Sequence, residues 1–327
     1  MGVRGRAGCR PRGRPVSDGI DAPAVATQTL LRKLRVSPSI GETCFLYQEP
    51  PMPEPSLSTA QRYHLDARGF VLLCDVLTSE EVESCRDALY RMREDSDLSD
   101  SVYRRPKGDH HVLMGNLVGY DPALLRYATH PELIPLVEDL VGGSVRLEES
   151  EAIINRRDPK DSDELFGKRR YHPTGFHRGT TATWGCYYER ERFHCVFVKT
   201  LAYLTDIGPE DGGTAVIPGS HRMNWPKDEM VDAAMADESL IHQVEANAGD
   251  VLLFPESLIH STTRIQSDRE RVILVSGYTP PQLREWPGNE VASEVFEGLD
   301  DRRKAILSGS ESWHWKRNTG PTSLDAD

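Results

Sequence analysis

Apolar residues are thinly spread over residues 1–55, where Pro and Gly punctuate the chain and only Ala24–Leu34 carries helical spacing. An ordered domain is therefore expected to begin near Ser58. Gly69–Cys74 is a short apolar run, read as a strand. Thr78 and Glu81 follow it as a capping-box pair, which predicts a helix through about Arg93. A second helix is expected from Thr129, with Pro131 and Glu132 in its first turn, to a stop at Gly142-Gly143.

From about Val145 the pattern changes to strands. Val145–Asn155 is one, and His194–Asp206 alternates over a long run. Thr214–Ile217, Asp250–Phe254 and Val272–Gly277 are shorter runs bounded by Gly, Pro and Asp turns. There is no internal repeat and no β-α-β alternation, which argues against a parallel doubly wound sheet. Helices first and a β-rich half afterwards predict an α+β fold with an antiparallel barrel or jelly roll. A last helical segment, Asp300–Leu307, precedes a polar tail.

A chain of 327 residues can bury a sizeable core. With 38% hydrophobic and 28% charged residues it reads as a soluble globular protein. A net charge of −12 argues against nucleic-acid polymers and anionic membranes as partners. The charge is uneven, because residues 155–199 hold ten Lys/Arg against six acids. That basic window brackets His177 and suggests an anionic small molecule, against the alternative of a solvated charged loop. Six cysteines without C-x-x-C spacing, with Cys74 and Cys195 in apolar surroundings, suit buried thiols in a reducing cytoplasm better than a disulfide framework. No apolar run is long enough for a membrane span, and the Arg-rich start lacks the apolar core of a secretory signal.

The candidate chemistry lies in Phe176-His-Arg-Gly179 and in His260, eleven residues before Arg271. Two histidines and one carboxylate on one face of a metal make the site of non-haem Fe(II) oxygenases. In an extended segment residues 177 and 179 point the same way, so an acid at 179 would complete that face. Residue 179 is glycine, and the nearest acids in sequence that could replace it are Glu189 and Glu191. Turn residues Ser267-Asp268 lie between the runs carrying His260 and Arg271, so the two are expected on neighbouring antiparallel strands. Arg271 offers the fixed fork that a carboxylate needs. His172, in a Tyr-His-Pro loop, and His194, opening a strand, are further ligand candidates, His221 is read as structural, and His110-His111 as a loop pair that either reaches substrate or lies on the surface.

The segment Leu204–His221, the strand Gly249–Phe254, His260 and Arg271 together resemble the phytanoyl-CoA dioxygenase family, in the family's order, from about Tyr63 to Tyr278. The resemblance implies a double-stranded β-helix (jelly roll, cupin-like) over residues 56–285 with flanking helices. An N-terminal extension (1–55), expected to be largely disordered, and a C-terminal helical segment and tail (286–327) complete the chain. The resemblance also implies Fe(II), 2-oxoglutarate and O2 as cofactor and cosubstrates. Carried over by position, His177 and His260 match the metal histidines and Arg271 the arginine on the far carboxylate of 2-oxoglutarate. Thr262 falls where a hydroxyl often meets that carboxylate, and Lys199 near a position that lines the cosubstrate pocket.

Gly179 departs from the family. Variants that replace H-x-D by H-x-G look like radical halogenases, in which chloride takes the vacated metal position and supplies the missing negative charge. Among them the chain is most similar to nucleotide halogenases of purine nucleoside antibiotic pathways. That resemblance implies chlorination at C2′ of 2′-deoxyadenosine monophosphate, with Gly179 at the halide site. Arg178 and Arg192 are the expected phosphate contacts, and Trp184, Tyr187 and Tyr188 candidates to stack on a purine. A hydroxylase of a small molecule, with water at the vacant position or a carboxylate from elsewhere, remains the alternative. A non-catalytic β-helix binding protein is the third reading.

Overall fold

Helix α1 (Thr59–Arg68) opens where the sequence places the start of the domain. Ser58 accepts a hydrogen bond from the Gln61 amide at 3.3 Å, while the Gln61 side chain accepts from the Ser58 amide at 2.8 Å. Strand β1 (Val71–Leu73) leads to α2 (Ser79–Glu94), which the Thr78–Glu81 box caps as expected. The computed structural model describes residues 56–99, 101–161, 170–172, 175–189, 192–285 and 291–310. The expectations for residues 1–55 and for the polar tail lie outside these.

The helix expected from Thr129 to Gly142 ends where predicted but starts only at Ile134, because Thr129 closes a separate helix before it. Helix α3 (Pro122–Ala128) starts at Asp121, whose carboxylate accepts from the Ala123 amide at 2.8 Å. Thr129 ends it, its hydroxyl bonded back to the Leu125 carbonyl at 2.9 Å. Helix α4 (Ile134–Val141) then begins, with proline in its first turn, and stops at Gly142 in the left-handed conformation.

Twelve named strands follow this helical start or interleave with it. A seven-stranded antiparallel sheet runs β1-β10-β7-β12-β4-β3-β2, with β2 Tyr103–Pro106, β3 His111–Gly115, β4 Arg146–Asn155, β7 Val198–Tyr203, β10 Val251–Pro255 and β12 Arg271–Thr279. A smaller sheet, β11-β8-β9, is built from His260–Thr262, Thr214–Val216 and His242–Gln243. Strands β5 (Cys186–Glu189) and β6 (Arg192–Cys195) form a separate hairpin. The long run expected from His194 to Asp206 is therefore split between β6 and β7 at Val196-Phe197.

The two larger sheets face each other as a double-stranded β-helix with helices outside. All nine residues of β12 are buried because both faces are covered. Val272 and Leu274 point outward into the core formed with the helices, and Ile273 and Val275 point inward with Leu201, Tyr203, Leu252 and Phe254. Helix α5 (Lys227–Ala236) covers the outer face of the small sheet through Met230, Val231 and Ala234, packed with Ala215 and Ile259. Helix α6 (Asp301–Ser308) closes the described chain against β4.

Two expectations are corrected. His260 and Arg271 do not lie on adjacent strands, since β11 pairs with β8 whereas β12 pairs with β4 and β7. The turn between them carries the chain from one sheet to the other, so the two side chains belong to opposite walls. Cys74 is exposed and disulfide-bonded, not a buried thiol. Strand β1 ends one residue earlier, and Asp75 turns the chain outward at φ 53. Cys195 is buried as expected. Among the described residues no helix is long and apolar enough to cross a membrane.

Gly249 holds the turn into β10 at φ +100, where an added Cβ would lie 2.6 Å from the Leu77 carbonyl oxygen. Gly249→Ala should therefore cost about 2–3 kcal/mol, read as a lower urea midpoint at unchanged slope. Burial pulls the imidazoles of His194, His221 and His242 from 6.5 down to about 4. The unfolded chain then binds more protons between those values. Stability present above pH 6.5 should fall as pH drops toward 4, by up to about 1.4 kcal/mol per pH unit per proton. Melts at pH 7, 6 and 5 measure this slope.

Candidate metal and cosubstrate site

His177 is joined to β11 by a two-bond bridge. Its amide donates to the His260 carbonyl at 2.9 Å, and the His260 amide donates back at 3.0 Å. The exchange brings the imidazoles side by side, ring centroids 4.2 Å apart. Each ring has its Nδ1 2.9 Å from the carbonyl two residues earlier, Gly175 for His177 and Leu258 for His260. A carbonyl can only accept, so each Nδ1 carries the proton and each Nε2 keeps a lone pair for a metal. Burial holds His260 down at about 4, in the neutral form that ligation requires, and Phe254 packs edge-on against it at 4.8 Å.

Gly179 follows at the position expected to face the metal, and the space beside it is filled by Glu256. A Cβ at residue 179 would meet Glu256 Cγ at 2.8 Å and both Cδ and Oε1 at 3.2 Å. The Glu256 carbonyl accepts from the amides of Gly179 at 3.0 Å and Thr180 at 3.3 Å. Glu256 is buried, with Oε2 3.8 Å from His260 Nε2 and Oε1 3.6 Å from Lys199 Nζ. Sequence reasoning missed this residue and looked to Glu189 and Glu191 instead. Glu189 pairs with Arg192 in the β5–β6 hairpin, outside both walls, and Glu191 lies outside the described residues. The available signal was an acid directly after strand-ending Pro255 and four residues before His260.

At the other end of the interior stands Arg271. It is 2% exposed, and its guanidinium makes one long hydrogen bond among the described residues, Nη1 to Asn155 Oδ1 at 3.4 Å. Its Nε is buried without a partner. Burial pulls the group down only to about 10, so it stays charged at neutral pH. A buried cation with no acid bonded to it is a site for an anion. Tyr203, opposite Ile273 in the register, donates to Thr214 Oγ1 at 3.1 Å, and Thr214 in turn faces Thr262. Thr262 thus lies on the wall opposite Arg271, exposed, as part of a hydroxyl-lined side to the same end.

Lys199 lies on β7. It pairs with Gly277 in the register, six residues from Arg271 along β12, about 20 Å at strand rise. Its ammonium is bound to Glu149 and faces Glu256, and burial lowers its pKa. The two cations therefore occupy opposite ends of the interior instead of sharing one carboxylate. Arg178 donates to the Trp225 carbonyl at 3.1 Å and keeps a buried Nη1 without a partner. Arg192 lies 4.0 Å from the fully buried Asp139, on the far side of the hairpin. Tyr187 is committed to the Val141 carbonyl and stacks on His194, whereas Trp184 and Tyr188 are exposed.

The model of the family described as phytanoyl-CoA dioxygenase matches residues 65–273. The chain belongs to the phytanoyl-CoA dioxygenase family. It is thereby an enzyme of the Fe(II)/2-oxoglutarate-dependent dioxygenase type, with iron and 2-oxoglutarate as the family's requirements. Among solved structures it is similar to HygX from Streptomyces hygroscopicus with nickel, 2-oxoglutarate and hygromycin B bound. The two are 28% identical over 70% of this chain and 90% of HygX, with a TM-score of 0.56. HygX with iron bound matches at 27% identity over 71% and 90%, TM-score 0.55. EctD from S. alaskensis with bound Fe shares the fold at 21% identity over 73% and 82%, TM-score 0.54. No curated protein matches the sequence.

Replacing Arg271 by leucine keeps the volume apolar and removes the charge. Arg271→Leu should raise the 2-oxoglutarate dissociation constant by roughly tenfold or more, as expected for a buried charge-assisted pair. Divalent-metal affinity, measured by calorimetry on the same variant, should not change.

Proposed function

We propose that this member of the family oxidises an unactivated C–H bond of a small polar molecule, using ferrous iron held through His177 and His260 and 2-oxoglutarate anchored by Arg271. The observation that carries the reading is Arg271 itself, a fully buried guanidinium with an unpartnered nitrogen and no carboxylate bonded to it in the described structure. The far carboxylate of 2-oxoglutarate supplies the missing charge. Thr214 and Thr262 add hydroxyls on the facing side, and Tyr203 adds one from the sheet of Arg271. When bound, the metal supplies dioxygen activation coupled to decarboxylation of 2-oxoglutarate. The chain's own residues hold two Nε2 lone pairs toward it, exclude water with Phe254, Leu201 and Val275, and orient the cosubstrate.

Among similar proteins HygX, solved with hygromycin B, supports a polar, many-hydroxyl metabolite as the kind of substrate such an interior admits. The lining at the Lys199 end, with Glu149 and Glu256, is itself polar and acidic.

A second reading is chlorination, in its sharpest form at C2′ of 2′-deoxyadenosine monophosphate, with chloride at Gly179. Gly179 favours it, because no carboxylate comes from that position. Arg178, with one guanidinium nitrogen buried and free of hydrogen bonds, is the residue best placed beside His177 for a phosphate, and exposed Trp184 for a base. Against it stands Glu256, whose side chain fills the room that the halide would need. We therefore place oxygenation first.

Product analysis separates the two. The enzyme with Fe(II), 2-oxoglutarate and O2 should be offered an aminoglycoside, a nucleoside monophosphate and the matching nucleoside, with and without chloride. The expected outcome is succinate release coupled to a product that gains oxygen and whose mass is unaffected by chloride. A chlorinated product that appears only with chloride would establish the second reading. Equal turnover of nucleotide and nucleoside would remove the phosphate from it.

A further inference from the structure

Glu256 has no evident structural reason to be where it is. It lies in the turn that leaves β10, between Pro255 and Ser257, and is 5% exposed. Its Oε2 is buried and has no hydrogen-bond partner. Such an orphan oxygen is uncommon in a folded protein and calls for an explanation. Lys199 answers only for the other oxygen, at 3.6 Å, and is already bound to Glu149.

We propose that Glu256 is the carboxylate ligand of the metal, so that the facial set is His177, Glu256 and His260. The assignment rests on the Fe(II)/2-oxoglutarate reading and completes it. Three geometrical facts support it. First, the Glu256 carboxylate occupies the space that a side chain at residue 179 would take, with Oε1 3.2 Å from a Cβ built there. The carboxylate has moved from one strand to the neighbouring turn while keeping its place in space. Second, the backbone fixes that placement, because the Glu256 carbonyl receives the Gly179 and Thr180 amides and the Glu256 amide donates to the Phe197 carbonyl at 2.9 Å. Third, the orphan Oε2 and the lone pair of His260 Nε2 face each other at 3.8 Å, with His260 Nδ1 turned away onto Leu258. A carboxylate oxygen and an unprotonated ring nitrogen this close gain nothing from each other unless a cation joins them.

Among the described residues no three His, Cys, Asp or Glu side chains stand at the spacing of a formed metal site. The 3.8 Å separation is wider than that of two donors sharing an ion at bond lengths near 2.1 Å, which calls for roughly 3 Å. Under this assignment the glutamate side chain closes the difference when metal binds. Two neutral histidines and one carboxylate leave the ferrous site with one net positive charge, as an ordinary H-x-D set does. Lys199 and Glu149 form the layer behind the carboxylate that orients it. Chloride then has no charge deficit to fill.

The experiment uses the full chain and Co(II), followed by calorimetry and by the visible ligand-field bands, so that no turnover is needed. Glu256→Ala should weaken Co(II) binding by roughly 100-fold and shift the bands, and Glu256→Gln should weaken it less. Adding Gly179→Asp to Glu256→Ala should recover most of the affinity, because removing Glu256 opens the room that an aspartate at 179 needs. Unchanged Co(II) affinity in a folded Glu256→Ala variant overturns the assignment while leaving the iron reading intact. Failure of the wild-type protein to bind Co(II), or full binding by His260→Ala, overturns both. A wild-type measurement covers the case in which the variants do not fold. Chloride titrated into the anaerobic wild-type complex with Fe(II) and 2-oxoglutarate should leave its charge-transfer band unmoved. A saturable, chloride-dependent shift would show an open position and overturn the assignment.

Discussion

Two backbone hydrogen bonds between His177 and His260 are the constraint on which the rest of the site depends. They extend the small sheet by one residue beyond β11 and so place a loop residue with the accuracy of a strand. Without them His177 would carry its imidazole on an irregular segment, and the 4.2 Å ring spacing would not be set. The same extension carries the chain past Glu256 and makes Gly179 and Thr180 donors to its carbonyl. One ladder thus positions both rings and the acid. Side chains behind it, Phe254 on His260 and the Nδ1 contacts, only refine what the backbone has determined.

The interior between the two walls is polarised from end to end. Arg271, unopposed by a bonded acid, marks one end, and the Glu149–Lys199–Glu256 chain marks the other, with Leu201, Val275 and Phe254 between. The Arg271 end is the one whose uncompensated charge suits a free carboxylate. This ordering follows from strand register. Residues 271, 273, 275 and 277 of β12 share a face, and their partners on β7 are read in the opposite direction.

Much of the fold was legible because its signals are local. The Thr78–Glu81 capping box, the Gly142 stop and the Val272–Gly277 run of β12 each need only a few neighbouring residues to be read. His177, His260 and Arg271 were found by their order and by resemblance, and the structure brings the two histidines together, with Arg271 on the facing wall. What was not legible depends on pairings between distant segments. Glu256 meets Gly179 across 77 positions of sequence, so no window containing one contains the other. Which end of the interior Lys199 reaches is decided by which residue of β12 it faces, and the sequence does not state a register. The chain leaves one sheet for the other between His260 and Arg271, and a turn signal alone does not say whether the strands it joins will pair.

Gly179 and Glu256 are also mutually exclusive in a way that bears on descent. A side chain cannot be added at 179 while Glu256 keeps its place, since the Cβ alone comes within 2.8 Å of it. Conversion between an H-x-D spelling and this one therefore cannot pass freely through a form that holds both acids. The order of the two substitutions matters, and the path runs through an intermediate with neither acid or with one of them displaced. Under the proposed assignment, a search keyed to the H-x-D spelling would overlook an acid supplied from this turn.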